Sequence, residues 1–329
     1  MRIGLITSAP DHPVLAATTA LLTARGHHVE TLDPTAGADG QGGADGQAGA
    51  DGKAGADGQA GPLDPPADVY LLKAHTPAGL ALARGLEERG VPVVNPVAAT
   101  ELCQDRLAMA ELARRAGLPF APTRAAADLA ELLGAVEAGE LLLPLVVKSR
   151  HSRRHDLVAR VDDTARLRAL AEEWPDEPVV AQPYLPSTGW DQKLWVVAGQ
   201  LFCARRRSEL AGPEHTELPD GDGGFGPAEL SAERAAVALR AGEVFGLDVY
   251  GVDLLDGPGE PVVVDVNAFP GIRGQAGAPE ALAALALRVG GAASGVPRPR
   301  PRADSGGAGT GAAVATPAPT DAGPGTAAG

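Results

Sequence analysis

Two apolar runs in the C-terminal half of the chain, VYGVDLLD and VVVDVNAFPG, carry oxygen-bearing side chains. Asp265 and Asn267 are two positions apart, so the alternation of a β-strand places both on one face. If the two runs pair as a hairpin, Asp253 lies opposite them. Two carboxylates and an amide oxygen, with no histidine or cysteine nearby, suit a hard cation that shares its ligands with phosphate. The pattern therefore predicts a Mg²⁺ site, with Mn²⁺ as the alternative ion. Carboxylates that cap a turn or pair with arginine are the other interpretation.

A lysine and a basic segment form a second feature. Lys148 ends the apolar run PLVVKS, from which its side chain can enter a cleft and contact a phosphate. The segment SRHSRRHDL then supplies five basic residues, which are Arg150, His151, Arg153, Arg154 and His155. Since the whole chain has a formal net charge of −14, this local excess of cations favours a role facing anions over a merely solvated face.

The run KLWVVAGQLFCARRRS predicts a β-hairpin that turns at Gly199, with Lys193 before the turn. Alternation sends Arg205 and Arg207 to one side of the sheet and Arg206 to the other. Neighbouring cations on a strand repel one another unless an anion neutralises them, and a triphosphate with its substrate would do so. The apolar run VVAQPYLP, which is interrupted by proline, is a weaker candidate for a hinge that hydrogen-bonds an adenine edge, and an ordinary strand end is the alternative.

The order of elements predicts how these residues are positioned. Strands at RIGLIT, HVETL, DVYLLK and VPVVN alternate with helices over 13–25 and 77–89, which predicts a small parallel sheet covered by helices. A helix over about 103–115 follows. From residue 144 the chain consists of short β-like runs with few helices between them, until a helix over 231–245, the two acidic strands and a last helix over 279–289. The fold class is therefore α/β with β-rich lobes.

The amino-acid composition further restricts which segments can fold and which partners the protein can bind. Among 329 residues, Gly 43 and Pro 29 concentrate in a repeat of GADGQA-like units over 37–61 and in a tail over 291–329, and both are predicted to be disordered. The acidic charge disfavours nucleic acid and anionic membranes as partners. Cys103 and Cys203 have no metal-type spacing, and the chain has neither a signal-like start nor a run long enough to span a bilayer. A cytoplasmic location is expected.

Taken in order, these motifs resemble the ATP-grasp superfamily over about 1–289, apart from the repeat. The resemblance implies that QDRL supplies Arg106 as a nucleotide-binding cation and that Lys148 is the strand-end lysine of the family. It places Gln182 and Tyr184 at the hinge, with Asp191 as the carboxylate for the ribose. The implied metal ligands are Asp253, Asp265 and Asn267, followed by the N-x-x-P-G motif of NAFPG.

The resemblance also implies a division of the chain. An N-terminal parallel α/β domain would cover 1–98, including the insert at 37–61. An ATP-grasp domain would cover 99–290, with a β-rich lobe over about 120–185 and a C-terminal lobe over about 186–290 that clasp ATP between them. The tail over 291–329 would follow.

Two branches of the superfamily compete, and a third hypothesis is a nucleotide-binding protein without catalysis. The ribosomal-protein glutamate ligases join a carboxylate to an amine through an acyl phosphate. The inositol polyphosphate kinases have a similar hairpin with a basic end and a similar D-x-N-x-F-P-G ending. The composition, typical of a GC-rich bacterial source, favours the ligases. Three departures from the family are a lid without glycine, Arg106 in place of lysine and Pro183 in place of the hinge glutamate.

The mechanism implied by the ligase resemblance needs no nucleophile or base from the protein. Mg²⁺ would bridge the β- and γ-phosphates, while Arg106, Lys148 and Lys193 neutralise the nucleotide. Arg205 or Arg207 would stabilise the transferring phosphoryl group. The substrates would be ATP with a small-molecule or peptide carboxylate and an amine. The sequence leaves open whether the protein forms a homo-oligomer.

The repeat yields the first testable prediction. We expect deletion of residues 37–61 to leave the melting temperature and ATP turnover nearly unchanged, because the segment has no bulky apolar side chain to bury. Thermal denaturation and a turnover assay on the full-length and deleted proteins check this. A large loss of stability would show that the repeat belongs to the core.

Overall fold

The N-terminal part of the chain builds a parallel sheet, as the alternating pattern predicts. In the computed structural model, which describes residues 1–35, 65–153, 155–185, 188–208, 210, 226–227, 230–255 and 260–292, the strands lie in the order β2-β1-β3-β4 and all neighbours are parallel. Their bounds are β1 Arg2–Ile6, β2 His28–Leu32, β3 Val69–Leu72 and β4 Val93–Val94. Helices α1 Pro13–Ala24 and α2 Pro77–Glu88 connect them. Every residue of β3 is buried, as expected for a central parallel strand.

The next helical segment differs from the sequence-based expectation of one helix from about residue 103. The structure has two helices, α3 Val97–Leu102 and α4 Arg106–Arg115. Asp105 separates them because its carboxylate accepts hydrogen bonds from the backbone N–H groups of Leu107 and Ala108. This N-cap starts α4 at Arg106 and fixes where that side chain leaves the helix.

The middle of the chain forms a four-stranded antiparallel sheet in the order β5-β8-β6-β7. Its strands are β5 Arg124–Ala126, β6 Leu145–Ser149, β7 Val158–Val161 and β8 Val179–Pro183. Helix α5 Leu129–Glu137 lies before residue 144 and was not predicted from the sequence. Among the short β-like runs that follow residue 144, the described residues up to residue 207 form one helix, α6 Thr164–Glu173, in agreement with the expectation of few helices there. Each of the two helices begins at an aspartate N-cap, Asp128 and Asp163. In the sequence, charged residues and alanines interrupt the apolar stripe of leucines on each helix, which makes the helical period hard to recognise.

The last sheet is antiparallel with the order β11-β10-β9-β12-β13. Its elements are β9 Trp190–Val197, β10 Gln200–Arg207, β11 Gly226–Pro227, α7 Ala232–Phe245, β12 Val249–Leu255, β13 Val263–Ala268 and α8 Ala278–Ala292. The hairpin predicted at Gly199 is confirmed, with Val197 paired to Gln200. Ala198 and Gly199 have φ values of 52° and 84°, the left-handed conformation that a two-residue hairpin turn requires.

One irregularity in this sheet matters for the site. Asp253 pairs with Asp265, whereas the next position, Leu254, pairs with Val263. Val264 is therefore the extra residue of a β-bulge, and its carbonyl is released from the regular ladder. The sequence-based expectation that Asp253 lies opposite the second acidic strand is confirmed.

The hydrophobic cores do not follow the domain limits expected from the sequence. One core combines residues of β1, α1 and β3 with residues of β9, β12 and α8. The middle sheet has its own core, built from residues between Ala126 and Ala181. Asn95, directly after β4, forms hydrogen bonds that join the N-terminal sheet to the start of β12 in the last sheet. Its side-chain oxygen accepts from the backbone N–H groups of Asp248 and Val249, and its Nδ2 donates to the Val249 carbonyl. The limits at residues 98 and 290 stay predictions.

Both segments predicted to be disordered fall largely outside the described residues, which omit 36–64 and 293–329. Helix α8 includes Gly291, so the tail begins slightly later than expected. Among the helices that the structure describes, none has the length and apolarity needed to cross a bilayer.

Two helical glycines provide a matched test of the packing behind β12. A Cβ on Gly242 in α7 would collide with the Tyr250 ring, whose hydroxyl donates to the Ala238 carbonyl. On Gly134 in α5, a Cβ would meet nothing. We expect Gly242→Ala to lower the free energy of unfolding by about 1–3 kcal/mol and Gly134→Ala to raise it by about 0.5–1 kcal/mol. Urea denaturation measures both, and a stabilised Gly242→Ala variant would contradict the packing described.

Candidate active site

A cavity opens between the middle sheet and the last sheet, and most of the residues predicted from the sequence as site residues line it. The predicted residues in its lining are Arg106, Lys148, Gln182, Tyr184, Asp191, Asp253 and Asp265. They come from α4, β6, β8, β9, β12 and β13, so segments that are far apart in sequence contribute to one wall. Predicted residues outside the lining are Lys193, Arg205, Arg207 and Asn267.

The acidic pair is the centre of the cavity. Asp253 on β12 and Asp265 on β13 are direct cross-strand partners, whose Cβ atoms in such pairs lie about 4.5–5.5 Å apart. Burial raises the pKa of Asp265, and the Asp253 charge acts in the same direction, while Lys148 and Arg106 oppose them. Two carboxylates this close therefore need cations beside them to stay ionised together.

Lys148 is one of these cations. It is the fourth residue of β6 and is almost fully buried, with 6% of its surface exposed. Its Nζ donates to the carbonyl of Val264 at 3.0 Å, so the bulge in β13 supplies the acceptor that holds this lysine. Burial lowers the pKa of Lys148, and the Asp265 carboxylate counteracts that effect.

Arg106 is the second cation, and the N-cap of α4 determines its position. Its Nη1 donates to the Ser149 carbonyl at 2.8 Å and to the Asp156 carboxylate at 2.6 Å. Its Nη2 lies 3.6 Å from Asp265 Oδ2. The buried Nε has no hydrogen-bond partner among the described residues, so one N–H of the guanidinium stays available to an anion in the cavity. Asp156 was not predicted as a site residue, although it lies in the basic segment SRHSRRHDL that follows Lys148.

Lys193 is not among the lining residues of the cavity, although it contacts Asp253, which is. Its Nζ is 3.1 Å and 3.2 Å from the two carboxylate oxygens of Asp253, its register partner on β12. Asn267 pairs with Gly251 and lies two residues beyond Asp265 on the same face of β13, as alternation predicts.

The donor set fits a hard divalent cation. Asp253 and Asp265 present carboxylates from opposing positions at the cavity, which suits Mg²⁺ and its demand for oxygen ligands. The described residues contain no group of three or more His, Cys, Asp or Glu side chains with metal-binding geometry. A cation at the pair therefore needs further oxygens, from the Asn267 amide or from a bound phosphate.

The hinge segment lines the opposite side of the cavity. Gln182 is buried and donates from Nε2 to Thr123 Oγ1 at 3.0 Å, so its side chain supports the lobe. The backbone N–H of Tyr184 donates to the Pro144 carbonyl, while its ring lies under the Arg160 guanidinium at 3.9 Å. Asp191 lines the cavity from β9.

The register of β9 and β10 shows which residues lie beside Arg205 and Arg207, whose catalytic roles stay predictions. In the β9–β10 register these two residues pair with Gln192 and Trp190, whereas Lys193 pairs with Ala204 and Asp191 pairs with Arg206. Alternation puts Gln192 and Trp190 on the face opposite to Lys193. In agreement, Gln192 accepts a hydrogen bond from Arg234 of α7, and Arg205 stacks on the Trp190 ring at 4.9 Å.

Two arginines of the basic segment after Lys148, Arg150 and Arg153, form ion pairs within the protein. Arg150 donates to both oxygens of Asp105, the N-cap of α4, and Arg153 makes a two-pronged ion pair with Glu177. Arg154 lies outside the described residues. Arg150 and Arg153 therefore need no external anion to balance their charge, because acidic side chains of other elements pair with them.

Comparison with known proteins agrees with this geometry. Residues 103–280 match the family described as the RimK-like ATP-grasp domain. A probable alpha-L-glutamate ligase of Thioalkalivibrio sulfidiphilus is 30% identical over 207 residues, which is 60% of this chain and 65% of that protein. A probable alpha-L-glutamate ligase 2 of a Shewanella species is 25% identical and covers 84% of this chain and 91% of its own length. A RimK domain protein ATP-grasp of Sphaerobacter thermophilus superposes with a TM-score of 0.65 at 22% identity, over 87% of this chain and 100% of that structure.

The fold and the cleft between two lobes define an ATP-grasp protein. The family match covers more than half of the chain, and this protein belongs to the RimK-like ATP-grasp family. The resemblance drawn from the sequence is thereby confirmed. The match with the Thioalkalivibrio relative spans about two thirds of that relative's length.

The burial of Cys103 close to the site leads to a prediction about thiol reactivity. Burial raises the pKa of Cys103 to about 12, with the Asp265 charge acting in the same direction. Because the thiolate is the reactive form, Cys103 stays protonated and unreactive up to pH values far above neutral, whereas half-buried Cys203 is accessible. We expect one thiol to react with an aromatic disulfide reagent at pH 8 in the native protein and two after denaturation. A Cys203→Ser variant should show none until it unfolds, and rapid native labelling of that variant would contradict the burial of Cys103.

Proposed function

We propose that this protein is an ATP-dependent carboxylate–amine ligase that acts on a small-molecule or peptide acceptor through an acyl phosphate. The observation that carries the proposal is the pair of opposed carboxylates, Asp253 and Asp265, at the cavity between the lobes, with Lys148 and Arg106 beside them. Relatives named as glutamate ligases support the reaction class.

The cations of the cavity suit a nucleotide triphosphate. Lys148 is held by the Val264 carbonyl and cannot turn away to solvent, and the Arg106 guanidinium keeps one unpaired N–H. Both would contact phosphate oxygens, and preorganised cations in a poorly hydrated cleft stabilise the charge of the transferring group better than mobile ones. Asp191 and the hinge at Gln182 and Tyr184 would bind the nucleoside end.

The metal would be held by Asp253 and Asp265, with Asn267 on the same face as the third protein ligand. A bound Mg²⁺ supplies charge neutralisation of the β- and γ-phosphates during transfer. Lys193 orients the Asp253 carboxylate through its ion pair. A role of Arg205 or Arg207 at the transferring phosphoryl group stays a prediction.

The proposed ligation consists of two displacement steps, one at phosphorus and one at the acyl carbon. An oxygen of the acceptor carboxylate attacks the γ-phosphorus, the bond to the β-phosphate oxygen breaks, and ADP leaves. The lone pair of the amine then attacks the acyl carbon, the C–O bond to phosphate breaks, and inorganic phosphate leaves with one carboxylate oxygen. The attacking nitrogen loses one proton to solvent, and an amide remains.

The kinase alternative gains nothing from the basic segment after Lys148, because Arg150 and Arg153 are paired with Asp105 and Glu177 and not left for a polyphosphorylated acceptor. No observation on the described residues favours a phosphoester product over an amide.

Oxygen labelling separates the two reactions. We expect an acceptor with ¹⁸O in its carboxylate to transfer one ¹⁸O atom to the released phosphate in each turnover, together with ADP and a new amide. The assay uses a panel of amino acids, acidic peptides and amines, with product masses recorded. A stable phosphoester, or unlabelled phosphate with amide formation, would rule out the acyl phosphate route.

The acidic pair provides the matching variant test. We expect Asp265→Asn to lower kcat at least 100-fold, an order of magnitude typical of losing a group that acts on the transferring phosphoryl. Asp33→Asn is the control, because Asp33 is an exposed aspartate bonded only to nearby Thr35. Both variants should keep the wild-type circular dichroism spectrum. Near-wild-type turnover of a folded Asp265→Asn protein would remove Asp265 from the site.

A further inference from the structure

The loop between β6 and β7, residues 150–157, is attached to the start of α4 by backbone hydrogen bonds. The backbone N–H of Arg106 donates to the Arg150 carbonyl at 2.9 Å. The backbone N–H of Ser152 donates to the Gln104 carbonyl at 2.8 Å. The β6–β7 loop is therefore paired with the segment in which α4 begins, and any change in the loop acts on the position of Arg106.

The side chain of Arg106 adds a second set of contacts to the same part of the chain. Nη1 donates to the Ser149 carbonyl and to Asp156 Oδ2, and Nη2 lies 3.5 Å from Ser152 Oγ. The side chains of Arg106 and Asp156 are only 8% and 13% exposed, so water screens their ion pair little. A lysine could not make all these contacts, because it has a single nitrogen, whereas the guanidinium distributes its donors over three.

The residue before Asp156 has a backbone conformation that needs support from its surroundings. His155 has a φ of 60°, in the left-handed region that residues other than glycine adopt infrequently. The β6–β7 loop contains no glycine that could adopt this conformation without strain. Strained backbone persists where neighbouring contacts determine it, and the ion pair between Asp156 and Arg106 is a contact of this kind.

Two carboxylates compete for the Arg106 guanidinium. Its Nη1 is 2.6 Å from Asp156 Oδ2, the distance of a charge-assisted hydrogen bond. Its Nη2 is 3.6 Å from Asp265 Oδ2, which is too long for a hydrogen bond. Since the proposed function assigns Asp265 to the metal, Asp156 holds the guanidinium beside this carboxylate without letting it close onto the oxygen that the metal needs.

We propose that Asp156 is a positioning residue of the nucleotide site and acts through Arg106. Its carboxylate fixes the guanidinium to the β6–β7 loop and away from Asp265, so that the cation is oriented for phosphate and the metal ligand stays free. Binding of a magnesium–nucleotide complex then depends on Asp156, which is not among the residues that line the cavity. The inference rests on the proposed function, in which Arg106 contacts the phosphates.

The test measures binding of the non-hydrolysable analogue β,γ-imido-ATP, with Mg²⁺, to the full-length protein by titration calorimetry. We expect Asp156→Asn to raise the Kd about tenfold or more, because the guanidinium loses its charged partner and turns to Asp265. Asp156→Glu keeps the charge and should restore part of the affinity. Glu137→Gln is the matched control with the Kd of the wild type, because it removes the carboxylate of an exposed ion pair between α5 and α6.

A double-mutant cycle shows whether Asp156 acts through Arg106. In the Arg106→Gln background, which lacks the guanidinium, Asp156→Asn should cause no further rise in Kd. Arg106→Lys keeps the positive charge but loses the fork of donors, and we expect a raised Kd for this variant as well. Circular dichroism of each variant checks that the fold is retained.

Three results would overturn the positioning role. These are an unchanged or lower Kd for Asp156→Asn, no recovery of affinity in Asp156→Glu, and an equal further loss when Asp156→Asn is added to Arg106→Gln. If Asp156→Asn fails to fold, Arg106→Lys decides, and a wild-type Kd for that variant would contradict the proposal. Nucleotide binding that depends on Asp156, without any ATP-dependent amide product, would rule out the ligase function and leave the positioning role in place. Amide formation by the wild type together with an unchanged Kd in Asp156→Asn would do the reverse.

Discussion

The opposition of Asp253 and Asp265 across β12 and β13 is the constraint on which the rest of the site depends. Like charges at direct cross-strand positions destabilise a sheet, and burial makes the repulsion stronger. The protein balances this cost with cations from three separate elements, namely Arg106 at the start of α4, Lys148 on β6 and Lys193 on β9. The cleft, the bulge at Val264 and the N-cap at Asp105 all serve to bring these cations to the two carboxylates.

This arrangement links the stability of the fold to the chemistry of the site. An ion pair inside a protein is costly to leave half-made, so each cation that moved to a bound phosphate would leave an acidic partner to be compensated by a metal. The same residues therefore form an internally neutral network without ligands and a binding surface for an anion and a cation together. Arg106 shows both roles, since Ser149, Asp156 and Asp265 engage its terminal nitrogens while its Nε stays unpaired.

Local sequence rules predicted the parts of the site that depend on local geometry. Alternation of two apolar strands brought Asp253, Asp265 and Asn267 to one face, and the family resemblance is borne out by the family match. The pairing of Arg150 with Asp105 and of Arg153 with Glu177 was not predictable, because it depends on how distant segments pack. The face of β10 that carries Arg205 and Arg207 was not predictable relative to the cleft, because alternation separates two faces without saying which one borders the cleft. Helices α5 and α6 were missed because their leucine stripes are short and interrupted by charge.

The hydrophobic core that joins β1, α1 and β3 to β9, β12 and α8 has a consequence for how the cleft works. The N-terminal sheet and the strands with the acidic pair share that core, and the three hydrogen bonds of Asn95 join them further. The middle sheet packs around a separate core, and Lys148 belongs to it. The acidic pair is therefore built into one packing unit and its buried lysine into another, so the bond from Lys148 Nζ to the Val264 carbonyl connects the two units at the cavity.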